Sequence, residues 1–238
     1  MATSTSTVTK PCKDRRQVLV MRFTAGERIA HWVHFIAFTI LLGTGLFLYM
    51  PALRPFAVGE AGEASRLAHR GAAILFMAAP LIYLIWSPRD FFYSLREALT
   101  WGPDDLGWLR AAWGYYTRGD TARMPPQGKY NAGQKFNALT QIITFILFVV
   151  SGMIMWFGKG VVSPAVFVGS VIIHDLSMMV TVALFILHIY LVAVHPLMRE
   201  SITAMFEGTV TEEFAREHHG KWLAEQEQER VYRRCRDE

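Results

Sequence analysis

Residues 161–197 read VVSPAVFVGSVIIHDLSMMVTVALFILHIYLVAVHPL, a long apolar run with one formal charge, Asp175. Pro164 suits the first turn of a helix, and the sequence beyond it exceeds the roughly 20 apolar residues that cross a hydrocarbon layer about 30 Å thick. Three more stretches have this character. Ile29 to Met50 and Phe136 to Phe157 contain no Asp, Glu, Lys or Arg, and Leu67 to Trp86 carries only Arg70. The chain therefore reads as an all-α integral membrane protein of four transmembrane helices, with spans at about 29–50, 67–86, 136–157 and 165–195.

Composition agrees. Of 238 residues, 52% are hydrophobic and 18% charged, and the mean hydropathy is +0.23, too apolar for an ordinary soluble domain. The net charge of +4 comes from segments flanking the spans rather than from one basic face, which excludes a nucleic-acid reader. Cys12 and Cys235 lie in polar segments at opposite ends, with neither bridge nor metal-ligand spacing, which excludes a secreted disulfide scaffold.

Residues 1–17 are rich in Ser, Thr and Lys and lack the apolar core of a secretory signal. Lys and Arg number six in 1–28, two in 51–66, seven in 87–135, one in 158–166 and seven after 197. Since cytoplasmic flanks are enriched in these residues, both termini and the long connection 87–135 are expected in the cytoplasm and the two short connections outside. The organisation is then a cytoplasmic tail 1–27, a transmembrane domain 28–197 and a cytoplasmic tail 198–238. From Asp90 to Tyr116 the aromatic residues Trp101, Trp108, Trp113, Tyr115 and Tyr116 alternate with charges, as in an interfacial helix; a solvated loop with ordinary aromatic contacts is the other reading. Beyond Val210 the polar, Glu- and Arg-rich sequence suggests a frayed helix.

Ionisable residues inside a span are costly and point to function. His31 and His34 lie in the first span, His69 in the second and His174 and His188 in the fourth, with His195 at its exit. From His174 to His188 the helix makes about 3.9 turns and rises about 21 Å, so the two share a face and lie near opposite membrane surfaces. Matched by depth, His69 belongs with His174 near the outer surface and His31 with His188 near the inner one. Two neutral imidazoles facing each other from different helices in an apolar bundle suit the axial positions of a b-type haem. Two such pairs make a transmembrane electron wire. Zinc instead wants four ligands drawn together at one depth. Taken singly, each histidine also reads as a hydrogen-bonded core residue. Depth leaves His34 open as a substitute for His31 and His195 as a substitute for His188. Gly45 follows His31 by the same interval that separates His188 from His174, so it falls on the His31 face at the level of the outer pair. There it leaves room for a porphyrin edge or for helix packing. Arg70 either reaches a haem propionate or snorkels to the surface, and Asp175 points about 100° away from His174 and receives no role.

With these residues in view, the chain resembles the cytochrome b (gamma) subunit of respiratory membrane-bound formate dehydrogenases. The resemblance rests on Glu27-Arg28-Ile29-Ala30-His31-Trp32, Arg66-Leu67-Ala68-His69 and Gly128-Lys129-Tyr130-Asn131-Ala132-Gly133-Gln134-Lys135. It continues through Ile172-Ile173-His174, Leu187-His188-Ile189-Tyr190 and His218-His219-Gly220-Lys221-Trp222. It implies two haem b groups, with iron ligands paired His31/His188 and His69/His174, which favours His31 over His34. It implies a quinone site beside the inner pair, at Asn131, Gly133 and Gln134 with His188. Quinone reduction needs hydrogen-bond donors near an electron donor, and this run puts amides at the right level; without the resemblance, Asn131 and Gln134 read as helix caps. It further implies a bacterial inner-membrane complex. An iron–sulfur (beta) subunit and a molybdenum- or tungsten-containing formate-oxidising (alpha) subunit would sit outside, with no formate oxidation on this chain. The stretch 1–20 has no counterpart, and the 87–135 connection is longer than the family leads one to expect.

A cytochrome b subunit of another oxidoreductase, such as a hydrogenase, is the nearest alternative. A haem-free anchor or metal-ion transporter is a further one, but it needs a polar third span, which offers only Asn137, Thr140, Gln141, Thr144 and Ser151. The charge distribution predicts that green fluorescent protein fused after Glu238 fluoresces, while alkaline phosphatase inserted near Arg54 or Lys159 is active. The reverse pattern in a fusion-reporter assay would invert the topology.

Overall fold

In the computed structural model, which describes residues 18–120 and 123–237, the long helices start where the sequence supplies caps. Cys12 and the N-terminal stretch through residue 17 lie outside the described residues. Helix α1 (Ala25–Tyr49) opens on a capping box. Glu27 N–H donates to Thr24 Oγ1, and Thr24 N–H donates to Glu27 Oε2 at 2.9 Å. A 3₁₀ segment, Pro51–Ala57, leads into α2 (Gly59–Trp86). This helix begins ahead of the apolar stretch, because Glu60, Glu63 and Arg66 extend it as polar turns beyond the hydrocarbon layer. After α3 (Pro88–Leu99) and α4 (Pro103–Arg118), helix α5 (Ala132–Phe157) opens on a second capping box, formed by Asn131 and Gln134. Helix α6 (Pro164–Ile189) is N-capped by Ser163 and runs on through a π turn, Tyr190–Val194, to stop before Pro196, whose ring cannot continue it.

Four helices are thus long and apolar enough to cross a membrane: α1, α2, α5, and α6 with its π turn. They form two antiparallel hairpins, α1 with α2 and α5 with α6, joined by short connections at one end. Phe38, Phe76, Phe145 and Phe185, with Leu41, Leu42 and Val182, fill the middle between the hairpins. Side chains such as Leu67 and Ile85 face outward, where lipid replaces water.

The opposite end carries a folded cap rather than tails. Strand β1 (Leu19–Met21) pairs antiparallel with β2 (Thr209–Thr211), Val20 facing Val210. Helix α7 (Arg199–Glu207) reaches β2 through Gly208, whose φ of +91° favours glycine. Helices α8 (Glu212–His218) and α9 (Gly220–Asp237) follow. Where the composition suggests fraying, Phe214, Ala215, Trp222 and Leu223 are buried against Val20 and Tyr115, because the few apolar residues of this polar segment fall on one side. Helices α3 and α4 divide the aromatic connection in two ways. Trp108 and Tyr115 are buried inward, while Phe92, Leu106 and Trp113 remain exposed.

The cap is tied to the bundle by residues 127–135. Lys129 pairs with Glu27, which also accepts from Ser94 Oγ at 2.9 Å. Lys135 Nζ lies 3.0 Å from Asp105 and donates to Thr100 O at 2.8 Å. Arg22 Nη2 donates to Lys129 O at 2.9 Å, and His219 Nδ1 to Gly128 O at 2.9 Å. A Cβ at Gly133 would stand 2.9 Å from the Trp108 ring, so this contact demands glycine.

Truncating one member of a buried ion pair strands the other charge, so Lys129→Ala should cost about 3–5 kcal/mol, read as a lower thermal midpoint of the purified protein. Burial pushes the His219 imidazole well below the ordinary histidine range. The unfolded chain then takes up a proton below about pH 6.5 that the folded cap refuses. Stability should fall from pH 7 to pH 5, and His219→Asn should flatten that slope in melts across this range.

Candidate functional site

Early in α1, His31 turns its ring toward His188 near the end of α6, with centroids 6.3 Å apart and planes at 54°. His69 in α2 and His174 in α6 face each other at 6.5 Å and 50°. These are the two pairs that depth along the helices predicts, at opposite ends of the bundle. A ring nitrogen lies about 1.1 Å from its centroid and binds a metal at about 2 Å, so an ion held on one axis by two imidazoles needs centroids about 6 Å apart. Both pairs meet that spacing.

The alternative histidines turn elsewhere. His34 packs on Phe76 at 4.1 Å and beside Phe145, in the core between the hairpins. His195 Nε2 lies 3.1 Å from Tyr116 O, and its ring meets Tyr116 edge-on inside the cap.

The His69/His174 pair opens into an apolar cavity of about 540 Å³, within the usual size of cofactor sites. Phe38, Phe76, Met77, Phe148 and Met178 supply its walls. Gly45 and Gly152 border the two imidazoles: a Cβ at Gly45 would stand 3.7 Å from His69 Cε1, and one at Gly152 3.6 Å from His174 Cε1. Their bare backbones leave the sides of both rings open to a flat ligand. Arg70, stacked on Trp156 at 5.4 Å, and Asp175 also line the cavity.

Each ring of this pair is also held by a hydroxyl from the neighbouring helix. Thr44 Oγ1 is 2.8 Å from His69 Nδ1 and also donates to Ile40 O at 2.7 Å. Ser151 Oγ is 2.9 Å from His174 Nδ1 and donates to Leu147 O at 2.5 Å. A hydroxyl has one proton, and here the helix carbonyl takes it. With that proton on the helix carbonyl, the hydroxyl oxygen accepts from Nδ1, the tautomer in which Nε2 carries the lone pair. At the other pair, His31 Nδ1 is buried and, among the described residues, has no hydrogen-bond partner.

Asn131 and Gln134 are at the cap end, the end that holds His31 and His188. Asn131 Oδ1 accepts from Gln134 N–H at 2.9 Å, and Gln134 Oε1 accepts from Asn131 N–H at 3.0 Å. Capping uses only the side-chain oxygens. Thr44 and Gly152 are absent from the residues singled out by sequence, and Ser151 appears there only among the polar residues of the third span, although a hydroxyl followed by glycine in the first and third spans is a visible signal. Among the described residues, no three His, Cys, Asp or Glu side chains gather as a cluster able to hold a bare metal ion.

A model of the prokaryotic cytochrome b561 family matches residues 22–208. The formate dehydrogenase cytochrome b556(fdo) subunit of Escherichia coli K12 is 27% identical over 219 residues, covering 89% of this chain and 95% of the relative. The formate dehydrogenase cytochrome b556 subunit of Haemophilus influenzae is 25% identical over 210 residues, covering 87% and 83%. The nitrate-inducible cytochrome b556(Fdn) subunit of E. coli K12 is 24% identical over 213 residues, covering 87% and 91%.

Proposed function

The chain belongs to the prokaryotic cytochrome b561 family, and from that premise we propose that it is the dihaem cytochrome b subunit of a formate dehydrogenase-type complex in the bacterial inner membrane. It anchors an outer iron–sulfur subunit and a molybdenum- or tungsten-dependent formate-oxidising subunit, and conveys their electrons inward to quinone. His69 and His174 would hold one haem and His31 and His188 the other. When bound, haem supplies one-electron redox chemistry.

The observation that carries this reading is the geometry of the two imidazole pairs, 6.5 Å and 6.3 Å between centroids at opposite ends of an apolar bundle. The ring contacts favour His31 over His34 and His188 over His195 as ligands. The glycine-bordered cavity suits a planar macrocycle, and the Nδ1 hydrogen bonds present Nε2 of His69 and His174 as ligands. Basic residues concentrated at the cap end favour its placement in the cytoplasm, which puts His31 and His188 near that side.

Asn131, Gly133 and Gln134, together with His188, form the proposed quinone site. Because capping occupies only their side-chain oxygens, Asn131 and Gln134 each retain an NH₂ group for a quinone oxygen. Gly133, having no side chain, lets the Trp108 ring approach the backbone between them. The cytoplasmic side supplies the protons.

A reduced-minus-oxidised optical spectrum with pyridine haemochrome quantitation should find two b-type haems per chain in the purified complex. His174→Ala and His188→Ala should each remove a different one. Absence of b-haem bands from the wild-type complex would overturn the proposal.

A further inference from the structure

The two imidazole pairs are unequal in a way that bears on the direction of electron flow. Both rings of the His69/His174 pair place Nδ1 within hydrogen-bond distance of a hydroxyl, at 2.8 and 2.9 Å, whereas among the described residues the buried Nδ1 of His31 has no hydrogen-bond partner. Thr39, Thr140, Thr144 and Ser170 also bond back to carbonyls of their own helices. That is the ordinary habit of a hydroxyl in an apolar helix. Thr44 and Ser151 differ in making a second short contact, to the nitrogen of a histidine on the neighbouring helix. Each is followed by the glycine that borders the same pair, so one Thr/Ser-Gly step per hairpin both orients an imidazole and clears space beside it.

We infer that Thr44 and Ser151 are positioning residues that make the His69/His174 site the lower-potential of the two haem sites. The inference rests on the dihaem reading above. An imidazole that donates from Nδ1 carries more electron density at Nε2 and is the more basic ligand. It stabilises the more oxidised state of a bound iron and so lowers the reduction potential. At the other pair the buried Nδ1 of His31 has no such support among the described residues, and that pair sits at the higher potential. One electron passing between the sites then oxidises the first and reduces the second in the favourable direction, from the outer reductant toward quinone. The gradient is built from two hydroxyls on α1 and α5, not from different ligand types.

Potentiometric titration of the purified complex, followed optically and by electron paramagnetic resonance, tests the inference. Haem content is counted first: a wild-type complex without b-haem sinks the dihaem reading itself, whereas every later outcome bears on the inference alone. Thr44→Val and Ser151→Ala should each raise the lower midpoint and leave the upper one in place, and Thr44→Ser should restore the wild-type value. An unchanged lower midpoint, a downward shift, or movement of the upper midpoint in variants retaining both haems would overturn the inference. If a hydroxyl variant loses haem, His188→Ala decides, because only the site at His69 and His174 then remains. Titration of that site at the lower wild-type midpoint supports the inference, and titration at the upper one overturns it.

Discussion

An imidazole moved into a hydrocarbon layer loses its water, and only a neighbour that uses its nitrogen repays the loss. Five histidines of this chain lie in that position, and the architecture keeps four of them paired and apart. Two facing rings 6.3 or 6.5 Å apart at their centroids do not hydrogen-bond to one another. The spacing persists because the rings are carried by different helices whose separation is set elsewhere. Phe38, Phe76, Phe145 and Phe185 set it, filling the middle of the bundle with rings too large to let the hairpins close.

The cap supplies the second fixed point. Helix α1 begins at its capping box with Glu27, which is paired with Lys129, and α5 begins just after Asn131, beyond the same short run. The buried charges of Lys129 and Lys135, the Asn131–Gln134 capping box and the Gly133–Trp108 contact fasten α5 to the start of α1 and to α4. Such a segment can hold a ligand-binding edge in place, since its donors are fixed by the bonds their oxygens already make. Structural and functional readings of Asn131 and Gln134 are compatible because an amide has an acceptor to give to the helix and donors left over.

The hairpins also solve one problem twice. On α1, Thr44 bonds the ring of His69 and Gly45 leaves its side open; on α5, Ser151 and Gly152 do the same for His174. A larger residue at either glycine would intrude on the cavity. At the cap end the ring of His31 meets Trp32 edge-on, and among the described residues its buried Nδ1 has no hydrogen-bond partner. Two imidazole pairs are thereby placed in different surroundings within one bundle.

Much of this is legible in the sequence without the fold. Apolar runs mark the four spans, and counting residues along helices gives the depth of each histidine, because rise per residue is a property of one helix alone. That suffices to match His31 with His188 and His69 with His174. It cannot separate His31 from His34, nor His188 from His195, because those choices depend on how each helix is rotated about its axis and which neighbour it meets. Phe76 and Tyr116 fix the orientations of His34 and His195, and neither contact is local in sequence. Composition also misses the order of the cap, since Trp222 and His219 become interior only once β1 and the 127–135 run close over them. The hydroxyl partners are hidden for the same reason: Thr44 and His69, like Ser151 and His174, belong to different helices and lie far apart along the chain. Hydropathy and helical rise are written along one dimension and can be read there, whereas a hydrogen bond between helices exists only where tertiary packing brings donor and acceptor within about 3 Å.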